Sequence, residues 1–492
     1  MHPSNERRAA AATADGVLAS DNHGDASDDP ELLPVGGPRV LRLAMQIAVG
    51  LLGSGAQTDD VEAAILVVAR AFGVTGVQAA VTFSMISISH DAADAPPTTL
   101  IHFVRDRTVH FDRLATFAAL VRRVRRGELG LDAAEVEVAA AQHGTPAYAR
   151  LASFVAPAFS AAGSTLVFGG NPLDAGATLA IALLVQPALG GLDRSELPPF
   201  FRVTFGAAAS TLLVALLVVL GVPMSGGLVL TGSLLRFLPG YALVSGFRDL
   251  VAESIMSGAG RLAEALLLGA AVAGGTALGL RTAETFGVHL AILVAGNADW
   301  VLPVVVGAAL IAVGGYAVQL GVPRNSMVQS ALLGAAGWTF YAASTTRVSA
   351  LDPAIATFVA SMLIGAAGRL LARRQDAPSA LFVVPAILPL LPGLLLVRAL
   401  LATTDAARVS GLIDATTTAF LVGTGVASGD VIVATIRRVR DRILGPAVGA
   451  IAEGVDVLVV APVSRVLATR PDAAEHEEEG DPQAPGRRNR ER

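Results

Sequence analysis

The chain has 492 residues, 53% of them hydrophobic and only 16% charged, with a mean hydropathy of +0.59; soluble domains carry about a quarter charged residues, so this composition is that of a membrane protein. All 36 basic residues are arginine and the net charge is −5, which argues against nucleic acid as a partner. Cysteine is absent, and this excludes disulfides, thiolate nucleophiles and cysteine-ligated metals.

Residues 1–37 and 471–492 hold too little apolar surface to fold, and disordered tails are expected there. The first tail has no charged-then-apolar signal, so export of the adjoining domain is not expected. From Pro38 to Arg150 the composition is that of a small α+β domain. It opens with an apolar stretch at 40–52 that is too short and, with Arg42, too charged to span a bilayer. Asp59 and Glu62 have capping-box spacing, and Val61, Ile65, Val68, Ala69 and Phe72 follow at helical period before Gly73, which predicts a helix over 59–72. Alternation over 77–89 and 98–104 predicts a strand pair around a turn at Asp94-Ala95-Pro96-Pro97. Phe111, Leu114, Phe117, Leu120 and Val124 mark an amphipathic helix, and 132–142 reads as another.

From 151 onward ten apolar segments are long enough to span: 152–170, 173–191, 203–221, 225–247, 258–280, 301–320, 326–344, 354–372, 378–401 and 411–434. They form two groups of five, 151–280 and 301–434, joined by a linker at 281–300. Glu453 and Asp456 would sit inside an eleventh span, so 435–470 is expected as a cytoplasmic amphipathic segment. Arginines crowd one set of connections (Arg194, Arg202, Arg248, Arg261, Arg324, Arg369, Arg373, Arg374), while the other set holds Arg281, Arg347 and Arg408. By the positive-inside rule both termini should be cytoplasmic.

A shift of 153 residues aligns Thr204-Phe205 with Thr357-Phe358, Leu238-Pro239-Gly240 with Leu391-Pro392-Gly393, Leu243-Val244 with Leu396-Val397, and Ser257-Gly258 with Ser410-Gly411. Units of five spans must enter from opposite sides, so the pattern predicts an inverted-topology repeat, an architecture of secondary transporters. Proline removes a backbone hydrogen bond and glycine lets the chain turn, so both Leu-Pro-Gly segments should break their helices. Broken helix ends carry partial charges suited to a zwitterion. The expected substrate residues are therefore Pro239, Gly240, Pro392 and Gly393, with Ser257, Ser410 and Thr417 nearby. Charged residues within spans tend to face a pathway or a partner, so Arg236, Asp249, Arg261, Glu264 and Asp414 are candidates for coupling or gating, and Arg261 with Glu264 is also spaced for a simple helical pair. No cofactor and no metal site is expected.

The order of these features resembles the bacterial threonine/serine exporters, ThrE-like amino-acid efflux proteins. The resemblance rests on Gly53-Ser54-Gly55-Ala56 leading into Asp59 and Glu62, Ala71-Phe72-Gly73-Val74, Val81 to Ser89, Arg105 to Gly127, and the two five-span halves with their Leu-Pro-Gly segments, and covers roughly 38–434. It implies proton-driven efflux of L-threonine and L-serine from the bacterial cytoplasmic membrane, with the amino acid, protons and membrane lipid as partners; homo-oligomerisation stays open. The alternative is a membrane-anchored hydrolase acting through His90, Asp91, Asp94, His102, His110 and Asp112, which lack close ligand spacing or a nucleophile elbow.

Overall fold

The structure, a computed structural model, describes residues 37–92, 95–105, 109–144, 147–195, 197–293, 302–345 and 351–467. The expected tails lie outside these residues, apart from Gly37.

The domain begins with α1 (Gly37–Gly53) and α2 (Thr58–Ala71). The apolar residues of α1 recur at helical spacing and bury one face through Leu41, Leu43, Ile47 and Leu51. No capping box forms on α2: its N-cap is Gln57, without a side-chain cap. Glu62 instead accepts from the Val81 amide at 2.7 Å, tying α2 to the sheet. The spacing was right for a cap, but an unpaired strand amide claimed the carboxylate.

Three antiparallel strands come next in sequential order, β1 (Val77–Val81), β2 (Met85–Ala92) and β3 (Ala95–Phe103). Residues 77–89 thus fold as two strands with a turn at 82–84, not one. Of the expected turn, Asp94 lies outside the described residues, while Ala95, Pro96 and Pro97 belong to β3. Proline is tolerated there because β3 is an edge strand. Ile86 and Ile88 of β2 join α3 (Phe111–Arg125) and α1 in one core, which Val138 of α4 (Leu131–Gln142) completes.

That core does not stop at the domain. It continues into Ala317, Leu320, Ala372, Leu381 and Phe382 of the apolar helices. The Phe111 amide donates to the Leu320 carbonyl at 2.9 Å, and the Tyr148 hydroxyl to that of Val322 at 2.7 Å.

The apolar part comprises α5 (Arg150–Val167), α6 (Pro172–Asp193), α7 (Pro199–Val219), α8 (Gly226–Leu235), α9 (Gly240–Val251), α10 (Ile255–Glu284), α11 (Leu302–Gln319), α12 (Arg324–Ala343), α13 (Pro353–Arg374), α14 (Ala380–Ala386), α15 (Gly393–Leu401) and α16 (Asp405–Leu467). Among the described residues six of these helices are long and apolar enough to cross a membrane, and eight spans result if α8 with α9 and α14 with α15 each count as one. Of the ten expected spans, those at 152–170 and 326–344 coincide with α5 and α12, which fall short of that mark. Both interrupt their apolar character, α5 with Ser153, Ser160 and Ser164 and α12 with Asn325, Ser326 and Gln329. The boundary expected at 434/435 falls inside α16, which runs unbroken.

Glycines allow the closest helix pairs. A Cβ on Gly275 or Gly279 of α10 would strike Thr204 or Thr211 of α7, and one on Gly425 or Gly429 of α16 would strike Phe358 or Met362 of α13. Small residues at four-residue spacing are the usual means of bringing membrane helices together.

Candidate functional site

Helices α8 and α9 meet at 51° across Arg236–Pro239, and α14 meets the following segment Leu388–Leu401, a 3-10 turn at Leu388–Leu390 continued by α15, at 46°. Pro239 and Pro392 are the N-cap residues of α9 and α15, with closely similar backbone angles (φ −82°, ψ 31° and φ −81°, ψ 9°). The two segments lie against each other. A Cβ on Gly240 would stand 2.7 Å from the Leu391 Cβ, and one on Gly393 would stand 2.7 Å from the Leu238 Cβ. Each leucine therefore occupies the space that the other segment's glycine leaves open.

Beside this crossing is a cavity of about 710 Å³ lined by Leu391, Pro392, Leu394, Trp338, Tyr341, Thr339, Thr417, Thr418, Asp352 and Asp414 among others. Its volume suits a small molecule. Trp338 and Tyr341 stack with centroids 5.2 Å apart. The Asp352 carboxylate caps α13 by accepting from the Ala354 amide at 2.8 Å. Asp414 and Thr417, one turn apart on α16, are exposed along the wall. Thr339 presents a buried hydroxyl that has no hydrogen-bond partner among the described residues. Among the described residues that line it, the charged ones are the carboxylates Asp352 and Asp414.

The cavity lies at the end of the bundle remote from the domain. Its walls come from the end of α5, the start of α11, the end of α12 and the start of α13. The opposite ends of these helices meet the domain through Leu320 and Val322 after α11, and through Asp376 after α13, which pairs with Arg126 at 2.7 Å.

Of the residues expected at a site, Pro392, Asp414 and Thr417 line the cavity, and Pro239, Gly240 and Gly393 belong to the crossing beside it. The others are elsewhere. Arg236 donates to the Gln186 side chain and to the Ala182 carbonyl at 3.4 Å, and lies over the Phe237 ring. Arg261 pairs with Asp249 at 2.7 Å, and the two side chains are only 11% and 4% exposed; the alternative partner at helical spacing, Glu264, is half-buried further along α10. Ser257 is buried at the start of α10, whereas its repeat counterpart Ser410 is exposed and donates to the Ala407 carbonyl. Sequence reasoning missed Thr339, Trp338 and Tyr341, which repeat no motif. It also missed Asp174, whose carboxylate accepts from the amides of Asn171 and Ser225 and so joins the starts of α6 and α8. Its place three residues after Asn171 was the available signal.

In the domain, His90 and His102 stand on β2 and β3, and Asp112 accepts from the Arg113 and Ala147 amides. Asp94 lies outside the described residues. Among the described residues no three His, Asp or Glu side chains gather as a metal site.

Residues 42–283 match the family described as "Putative threonine/serine exporter" and residues 305–436 the one described as "Threonine/Serine exporter, ThrE". The chain belongs to the threonine/serine exporter family. It is 29% identical over 428 residues to a "Probable threonine/serine exporter" of Mycobacterium tuberculosis, covering 83% of this chain and 80% of that protein. It is 24% identical over 415 residues to a "Threonine/serine exporter" of Corynebacterium glutamicum, covering 81% and 83%. No solved structure matches. Family membership and the apolar helices make this a multi-pass membrane transporter, and they give the hydrolase alternative no support.

Proposed function

We propose that this protein exports threonine, serine and similar small hydroxylated amino acids across the bacterial cytoplasmic membrane, driven by the proton gradient. The observation that carries the proposal is the cavity beside the Leu-Pro-Gly crossing, small-molecule in size, acidic and partly aromatic. The Asp414 carboxylate attracts the ammonium of the substrate. The N-terminus of α15, where Pro392 leaves the first amides without helical partners, suits its carboxylate. The unpartnered Thr339 hydroxyl, with Thr417 and Thr418, suits a hydroxylated side chain.

In this proposal α5 and α12 also cross the bilayer, which makes ten spans in two inverted halves with the domain and both termini on the cytoplasmic side. Reciprocal contacts support the inverted repeat. Gly240 meets Leu391 as Gly393 meets Leu238, and Gly163 of α5 abuts Ala312 of α11 as Gly315 of α11 abuts Ser160 of α5. Exchange of partners in this manner is what a two-fold relation between halves generates. Transport then proceeds by alternating access around the crossing.

The test loads cells lacking their own exporter with a threonine-containing dipeptide and follows external threonine, with and without an uncoupler. Expression-dependent, uncoupler-sensitive release is expected. Asp414→Asn should reduce the rate at sub-saturating substrate about tenfold or more, the equivalent of one charge-assisted hydrogen bond. Unchanged release from that variant, at equal membrane level, would remove Asp414 from the site.

A further inference from the structure

We infer that the seam between α9 and α16, closed by the Arg248–Asp430 ion pair, is the cytoplasmic gate of the transport path, and that α2 of the domain clamps it in the closed position. The inference rests on the exporter proposal and adds to it the door on the opposite side from the cavity.

Along α16, Asp414 lies on the cavity wall and Asp430 sixteen residues further on, a distance of about 24 Å along a helix. The chain between them is packed shut against α9. Phe420 meets Phe247 edge-on at 5.9 Å, Gly423 lets α16 approach Phe247 and the Val244 carbonyl, and Val422 and Val426 share a buried cluster with Val244. At the domain end of this plug Arg248 and Asp430 are 3.4 Å apart, with side chains 14% and 20% exposed. Because α9 belongs to the first half of the chain and α16 to the second, the pair bridges the elements that alternating access must separate.

The polar groups at the seam are only half matched. Asp430 faces Arg248, Arg369 of α13 and Asp60 of α2, yet its Oδ1 and the Arg369 Nε are buried with no hydrogen-bond partner among the described residues. A fully static core selects against such atoms. A seam that exchanges partners between two conformations leaves some of them unmatched in each. The far end of α9 is held by the domain. Ser254, just past α9, donates to the Asp59 carboxylate at 2.7 Å and lies 3.3 Å from the Thr58 hydroxyl, and Arg261 reaches the Ala56 carbonyl at 3.4 Å. Between α9 and Ser254, Glu253 adopts a left-handed conformation with φ 65°, a strained position for a residue with a side chain. α9 is thus a rigid lever about 18 Å long, with the Leu-Pro-Gly crossing at one end and the strained, domain-held turn at the other.

The absence of cysteine makes the test direct in the full-length protein. A Cβ on Gly423 would stand 3.2 Å from that of Phe247, near the separation of about 3.5–4.5 Å that a disulfide spans. In the double variant Phe247→Cys/Gly423→Cys, oxidation in membranes should form the cross-link and lower threonine export at least tenfold, with recovery on reduction. A second readout does not depend on transport. In inside-out vesicles, labelling of Val426→Cys by a membrane-impermeant maleimide should rise several-fold when Arg248→Gln or Asp59→Ala is added. Unchanged labelling in both, or full export from the cross-linked protein, would overturn the gate. Rising labelling in a protein that exports no threonine would support the gate and overturn the exporter proposal alone.

Discussion

Gly240 and Gly393 show how a single atom sets the distance between the two broken segments. Each faces a leucine Cβ at 2.7 Å from where its own would be, so Gly240→Ala forces overpacking worth about 1–3 kcal/mol. Export should fall while the protein remains in the membrane. Adding Leu391→Gly, which removes that Cβ, should restore part of the rate, and absence of recovery in that double variant would show that the contact is not what the substitution disturbs. Arg261 and Asp249 form a different kind of contact, a nearly enclosed ion pair. Arg261→Ala strands the Asp249 carboxylate, and removal of one partner of a buried pair costs about 3–5 kcal/mol. A clearly lower melting temperature of the detergent-purified protein is the expected result. Arg261 was legible in the sequence as a charged residue needing a partner. Its partner was not, because the i,i+3 neighbour Glu264 satisfies the same spacing rule and only the fold brings Asp249 within reach.

At the scale of elements, the helices that pack on small residues and the two bent pairs follow from local rules. Proline at 239 removes a donor and glycine next to it accepts a change of direction, so the segment 225–247, read as one span, is divided there, whereas in 378–401 the main bend falls at Ile387, five residues ahead of Pro392. Replacing Pro239 or Pro392 with alanine restores the donor and favours a straighter helix. The expected outcome is impaired export with normal insertion, checked by transport and by membrane fractionation of the same cells. Elements in the domain were less legible. The Asp59–Glu62 spacing satisfies two competing demands, a cap and a strand amide, and the sheet decided between them. The prolines at 96 and 97 looked like a turn because sequence does not say which strand is the edge. Ser257 and Ser410 occupy matching repeat positions yet opposite surroundings, since one faces the packed start of α10 and the other the exposed start of α16.

For the whole molecule, the domain and the apolar helices share one hydrophobic core. This unity separates the protein from a transporter with a tethered accessory domain. Chains beginning at Arg150 expose Leu320, Leu381 and Phe382, and large exposed apolar patches promote aggregation or degradation. Such a truncation should reach a much lower membrane level than the full chain, measured by immunoblot of membrane fractions; an equal level would show that the helices are stable without the domain. The shared core also explains how α2 can act on the turn after α9 without a flexible linker between them.

Hydropathy and the order of the apolar segments are properties of the chain read in order, and they suffice for membrane class and for the places of the two Leu-Pro-Gly segments. They depend on the bilayer as solvent and on backbone chemistry, which act locally. Cavity walls and ion pairs answer to a different physics. Asp430 and Arg248 are 182 residues apart, while Trp338 and Thr339 of α12 and Asp414 of α16 come from helices that share no motif. Helix packing on glycines brings them together, and burial then determines which charges must find a partner, so these features belong to the tertiary structure alone.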